Sequence, residues 1–257
     1  MELAHRARHF TDSLHHATCG ELFPNVRRTF ETDVAPGTVV VAWDTETHLI
    51  GPGLQWPRMV CLSLCVGIAD DAGRVAFGPA GVIHANSKDC LQVLAWMFTD
   101  PRVLMVLHNA PFDLLVAVEH VLRMAGADAG ETFLRAVFRV LDEERVRDTW
   151  IRAPLLDNAK GFLVDAERGY SLAALSAAHD VALDKSGDSY RLRYAELEGL
   201  PVKAWPDAAT RYSAADALAT AVVWGHQQES ATKHRYTQTA LSGRHPGRDR
   251  AHWWLGG

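Results

Sequence analysis

Asp44 and Glu46 close an apolar run, VVVAWDTET, over residues 39–47. Four apolar residues and a Trp leading into Asp-Thr-Glu predict a buried strand that ends in two acids. Side chains alternate along a strand, so positions 44 and 46 face the same way, ~6.5–7 Å apart at ~3.3 Å per residue. Two carboxylates so placed repel each other. The repulsion raises the pKa of one or calls for a cation, and a hard divalent ion with oxygen ligands is the usual resolution. Further along, Asp113 ends the segment NAPFD, and Tyr212 and Asp216, four apart in YSAAD, share one helix face. Each feature has an ordinary reading: a solvated strand end, a first-turn Asp favoured by the helix dipole, a hydrogen-bonded surface pair. Their conjunction is what suggests a site.

The elements that must position these residues follow from periodicity and punctuation. After the first strand comes HLIGPGLQWP, a Gly- and Pro-rich loop, then strands at MVCLSLCVGI and RVAFGP separated by the turn-like ADDAG, which together predict an antiparallel meander. Residues 88–99 suit a helix that crosses back to a fourth, fully buried strand, RVLMVLH. That strand runs into a helix started near Pro111, so Asp113 sits in a first turn, placed to face the acids of the first strand. Residues 130–144 read as a helix and VRDTWI as a short fifth strand carrying Asp148, an acid left out of the ligand set and read as either supporting the ligands from behind or structural. Residues 153–170 read as irregular, 171–181 as a Ser-capped helix, 184–202 as a partly ordered loop, and DAATRYSAADALATAVVWGHQ as a long helix. Residues 1–37, with His5, His9, His15 and His16 in no standard zinc spacing, read as an N-terminal extension packing on the main domain. The main domain is expected over 38–232, and 233–257 as a basic tail.

The totals restrict the function classes. At 257 residues the chain can bury a sizeable core, and a formal charge of −5 argues against holding nucleic acid by net charge alone. The four cysteines form no C-x-x-C pair, and Cys61 and Cys65 lie about 13 Å apart along one predicted strand, too far to bridge. The N-terminus lacks an apolar signal core and no run approaches the roughly 20 apolar residues that span a bilayer. The expectation is a soluble, cytoplasmic protein with no membrane partner.

With DTET, NAPFD and YSAAD in this order and context, the chain resembles the DEDD superfamily of 3′→5′ exonucleases, also called DnaQ-like. Tyr212, four residues before the last Asp, with Arg211 where a His would stand in the other branch, matches the tyrosine type. The approach WPDAATRYSAAD is similar to that of proofreading exonuclease domains of phage-like family A DNA polymerases, and the likeness covers roughly residues 38–228. The roughly 30 residues after Gln228 are too few for a polymerase, so a free-standing exonuclease, a subunit of a split polymerase or a fragment is expected.

The resemblance implies an RNase H-like α/β fold with a mixed five-stranded sheet flanked by helices. It also implies two divalent metal ions, Mg²⁺ or Mn²⁺, held by Asp44, Glu46, Asp113 and Asp216, with Asp44 bridging both and Asp113 reaching the second largely through water. Tyr212 completes the catalytic set by orienting the attacking water, since a phenol ordinarily titrates near ~10 and positions water rather than deprotonating it at neutral pH. By the same resemblance, Thr47, His48 and Leu49 are expected to touch the terminal nucleotide, and Asn109 and Phe112 to shape the wall of the substrate site at the second motif. The implied substrate is the 3′ end of single-stranded or frayed DNA, and the implied partner a separate DNA polymerase subunit. The alternatives are an exoribonuclease that trims RNA, because selection against a 2′-OH depends on pocket shape, and a non-catalytic polymerase-associated module.

Overall fold

The computed structural model of the chain describes residues 23–52, 56–162, 169–183 and 190–234. The histidines at 5, 9, 15 and 16, Cys19 and most of the basic tail fall outside these residues. Six strands form one mixed sheet: β1 (Thr29–Glu31), β2 (Val39–Thr47), β3 (Met59–Ala69), β4 (Arg74–His84), β5 (Val103–Leu107) and β6 (Val146–Asp148), in the order β1-β4-β3-β2-β5-β6. β2, β3 and β4 form the expected antiparallel meander, and β5 and β6 add in parallel beside β2. The helices are α1 (Lys88–Thr99), α2 (Ala110–Ala125), α3 (Ala127–Asp142), α4 (Thr149–Ala159), α5 (Leu172–Ala177) and α6 (Asp207–Lys233), with 3-10 turns at Tyr190–Leu192, Tyr194–Leu197 and Val202–Ala204. This is the RNase H-like α/β arrangement that the resemblance implies, with six strands rather than five.

The sheet separates two cores, and β2 feeds both by its alternation. Val39, Val41 and Trp43 pack with α1, α2 and α3, whereas Val40 and Ala42 pack with α6. That parity decides where the acids point, because Asp44 and Glu46 continue the series of Val40 and Ala42 toward α6, and Thr45 continues the series of Trp43 toward α2. α6 is buried over most of its length, with Ala214, Ala217, Leu218, Ala221 and Trp224 at no more than 8% exposure. Its small residues let it lie close to the sheet.

Three sequence expectations change. β1 lies inside the segment read as an extension and pairs antiparallel with β4 through Phe30 opposite Val75. Phe30 rests on the C-terminal part of α6 at Gly225, where an added Cβ would meet the ring at 2.3 Å, so glycine is required there by close approach. β4 continues past Pro79 to His84, and its register against β3 shifts between Cys65 and Gly67, a bulge that accommodates the proline on the open edge. Trp150 and Ile151, read as strand, begin α4 instead, and the helix runs on through residues 153–159, read as irregular. Asp148 accepts hydrogen bonds from the Trp150 and Ile151 amides, and Arg152, Ala153 and Leu156 are buried, which outweighs the cost of Pro154 within the helix. Among the described residues no helix is long and apolar enough to cross a membrane.

Arg145 joins the α1 side of the fold. Its guanidinium, at 8% exposure, donates to the carbonyls of Met97 (3.2 Å), Asp100 (3.1 Å), Val103 (3.0 Å) and Phe98 (3.2 Å), and its Nε donates to Glu143 (2.8 Å). It therefore satisfies carbonyls at the C-terminus of α1, the connection that follows and the start of β5.

At the far end of α6, His226 stacks on His179 with ring centroids 3.7 Å apart and planes within 8°. Arg27 reaches His226 Nδ1 at 3.2 Å and pairs with Glu229, and Asp180 lies beside His179. Burial, then His179 and Arg27, push the His226 pKa down to about 4, and burial and Arg27 lower that of His179. Both rings fold neutral, whereas an unfolded His takes up its proton near ~6.5. The stability from this pair is thus present above that value and is lost as pH falls from there toward 4. His120, buried beside Arg123 and also driven down to about 4, acts in the same sense. The melting temperature is expected to fall between pH 7 and pH 5, and His226→Gln to make that fall shallower without abolishing it. Parallel melting curves for the two proteins would exclude the pair from the acid response.

Candidate active site

The parity of β2 and the pitch of α6 bring three acids together. One carboxylate oxygen from each of Asp44, Glu46 and Asp216 lies within 4.8 Å of the others. Glu46 and Asp216 are buried and Asp44 half-buried, so three carboxyl groups converge where water screens charge poorly. The set is all oxygen, which suits a hard divalent cation rather than zinc or copper. Tyr212, one helical turn before Asp216, stands beside them on the same face of α6.

These residues line a cleft of about 820 Å³. All five expected substrate residues, Thr47, His48, Leu49, Asn109 and Phe112, line it too. His48 is not idle: its Nε2 lies 2.8 Å from Glu198, whose other oxygen pairs with Arg58 at 2.5 Å. Leu49 and its neighbour Ile50 are exposed, at 58% and 67%, and form an apolar lip. Trp150, Arg191 and Leu192 were missed in the sequence and also line the cleft, with Trp150 in the first turn of α4 and the other two in the first 3-10 turn. Of these only the Trp left a signal, a large apolar residue just after a capping Asp at the end of a strand.

Asp113 lies elsewhere. It is on the α2 side of β2, 2% exposed, and its Oδ1 accepts from the Thr45 amide (3.0 Å) and hydroxyl (2.6 Å). The structure does not bring it into the three-carboxylate group; it grips the peptide between Asp44 and Glu46 from behind. Burial raises its pKa to about 7, against the lowering effect of the two Thr45 bonds. Asp148, the acid left out of the ligand set, accepts from the amides of Asn109 (3.2 Å) and Ala110 (2.8 Å) while capping α4. It thereby ties the starts of α2 and α4 together across the cleft wall. Asn109 sits in the left-handed region at φ 71°, a conformation of some cost that this bond helps hold. Beneath the acids, Cys61 contacts Ser213 at 3.5 Å, and burial followed by the nearby Glu46 and Asp44 carboxylates pushes its thiol well up, leaving it inert.

A converging acidic group at the mouth of an α/β sheet fits several phosphoryl chemistries. The sequence of residues 29–229 matches the 3′–5′ exonuclease family, a match that spans β1 through most of α6 and contains every residue of the acidic group. The chain belongs to the 3′–5′ exonuclease family. Within this exonuclease domain β1 is included, since the match begins at Thr29. No curated protein matches the chain.

Proposed function

We propose that the chain hydrolyses the terminal phosphodiester bond at the 3′ end of single-stranded or frayed DNA and releases nucleoside monophosphates. The observation that carries this reading is the convergence of Asp44, Glu46 and Asp216 within 4.8 Å beside Tyr212 at the floor of an open cleft. Asp44, Glu46 and Asp216 would hold two divalent cations, Mg²⁺ or Mn²⁺, and Asp113, whose Oδ1 is already engaged by Thr45, would contribute through water. Bound there, two such ions supply Lewis acidity at the scissile phosphate and at the attacking water.

The remaining roles belong to the chain's own side chains. Tyr212 orients the attacking water by hydrogen bond, and Asp113 fixes the spacing of the β2 acids through Thr45. Leu49, Ile50, Phe112 and Trp150 offer apolar and aromatic faces on which unpaired bases stack, and Arg191, the only Lys or Arg among the described residues of the cleft, meets the phosphate backbone. Stacking faces of this kind suit an unpaired 3′ end, such as one frayed by mispairing. Editing for a DNA polymerase is the role that this preference and the sequence resemblance together support.

The test is digestion of a 5′-labelled single-stranded DNA with Mg²⁺ or Mn²⁺ and with EDTA, beside the same sequence as RNA. A ladder that shortens from the 3′ end, needs the metal and is stronger on DNA is expected. Stronger shortening of the RNA would move the substrate to RNA. No cleavage of either would overturn the enzymatic reading in favour of a binding module.

A further inference from the structure

Tyr194 is fully buried, yet its hydroxyl is placed for a specific task. It donates to the Ala209 carbonyl at 2.7 Å. Ala209 lies in the first turn of α6, three residues before Tyr212, and no side chain caps that helix start. The Tyr194 ring packs on the Tyr212 ring with centroids 6.1 Å apart at 56°, and on Trp205 at 6.1 Å and 63°. Trp205 is fixed in turn by its Nε1, which donates to Leu200 at 2.9 Å. Two and three residues before Tyr194, in the preceding 3-10 turn, Leu192 and Arg191 line the cleft. One buried side chain thus touches the backbone turn that carries Tyr212, touches the Tyr212 ring, and sits on the strip of chain that walls the substrate cleft.

We infer that Tyr194 is a positioning residue for Tyr212, coupling the Arg191–Leu192 wall of the cleft to the helix turn that presents the tyrosine to the attacking water. The inference rests on the exonuclease reading, because only there does the placement of the Tyr212 hydroxyl govern a rate. A tyrosine is needed rather than a phenylalanine because the ring alone fills the core, while the hydroxyl fixes how far the turn can slide along it. The Ala209 carbonyl has a second lone pair for its bond within the helix, so removing the Tyr194 hydroxyl strands no buried acceptor. Tyr194→Phe is therefore a mild structural change that isolates the positioning role.

The experiment is a double-mutant cycle on DNA hydrolysis with Tyr194→Phe, Tyr212→Phe and the double variant, reading kcat and KM separately and melting temperature in parallel. Tyr194→Phe is expected to lower kcat by about three- to tenfold, the worth of one neutral hydrogen bond, with KM and melting temperature little changed. Tyr212→Phe lowers kcat further, and the double variant is no slower than Tyr212→Phe alone, since a misplaced tyrosine that is already absent has nothing more to lose. Full kcat in Tyr194→Phe, multiplicative losses in the double variant, or a change confined to KM would each overturn the inference while leaving the exonuclease reading intact. A wild-type protein that releases no nucleotide would remove the reading itself and the inference with it.

Discussion

Asp44→Ala is expected to lose at least about 10³-fold in exonuclease kcat while melting no lower than the wild type in EDTA. The rate loss follows from taking one of three converging carboxylates away from the ions they would hold, which would be worth several kcal/mol of transition-state stabilisation at ~1.4 kcal/mol per tenfold. The stability expectation has the opposite sign. Without cations the three oxygens, all within 4.8 Å, repel one another at poorly solvated positions, and deleting one relieves that strain. Added Mn²⁺ should then raise the melting temperature of the wild type, because a ligand bound only by the native state stabilises it, and should raise that of Asp44→Ala much less. Melting curves with and without Mn²⁺, run beside the nuclease assay, check both halves. A variant that cleaves at near wild-type rate, or that gains as much from Mn²⁺, would remove Asp44 from the metal site.

Arg145→Met is expected to cost about 3–5 kcal/mol of folding stability with no direct effect on the cleft. Methionine matches the aliphatic stem but leaves the carbonyls of Met97, Phe98, Asp100 and Val103 facing a thioether in a buried space. Bonds to a charged donor contribute ~1.5–3 kcal/mol each in isolation, yet they share one guanidinium here and do not add. Arg145→Lys supplies three donors from a point rather than a planar fork and recovers only part of the loss. Denaturant unfolding measures it: the midpoint should drop at an unchanged slope, and a loss under about 1 kcal/mol would mean that water replaces the guanidinium.

Much of the site was legible because its determinants are local. Asp44 and Glu46 share a face by the two-residue period of any strand, and Tyr212 and Asp216 by one turn of any helix, so neither needed knowledge of the partner element. Asp113 shows where that reasoning stops. Its place in a first turn after β5 is as expected, but which side of the sheet α2 occupies depends on the crossover, and α2 packs against the odd-numbered face of β2, where Thr45 receives Asp113. Trp150, Arg191 and Leu192 reach the cleft from chain segments more than 100 residues beyond β2, with no spacing rule to connect them. β1 escaped because three residues, Thr-Phe-Glu, carry one apolar side chain between two polar ones, too short a period to distinguish from loop. α4 escaped because Trp-Ile favours strands and Pro154 argues against a helix, and both preferences yield to the Asp148 cap and to burial against α6.

The contact of Phe30 with Gly225 also bears on how the molecule behaves among its own copies. β4 is an eleven-residue strand whose outer edge, among the described residues, is paired by β1 over three residues, and Pro79 offers no amide farther along. A bare row of amides and carbonyls invites another chain to add a strand. β1 closes the part that Pro79 leaves open, and it stays down because a phenyl ring can sit directly on helix backbone at Gly225. A side chain there would lift the ring, uncover the edge and give the sheet a direction in which to grow, so this glycine guards solubility as much as packing.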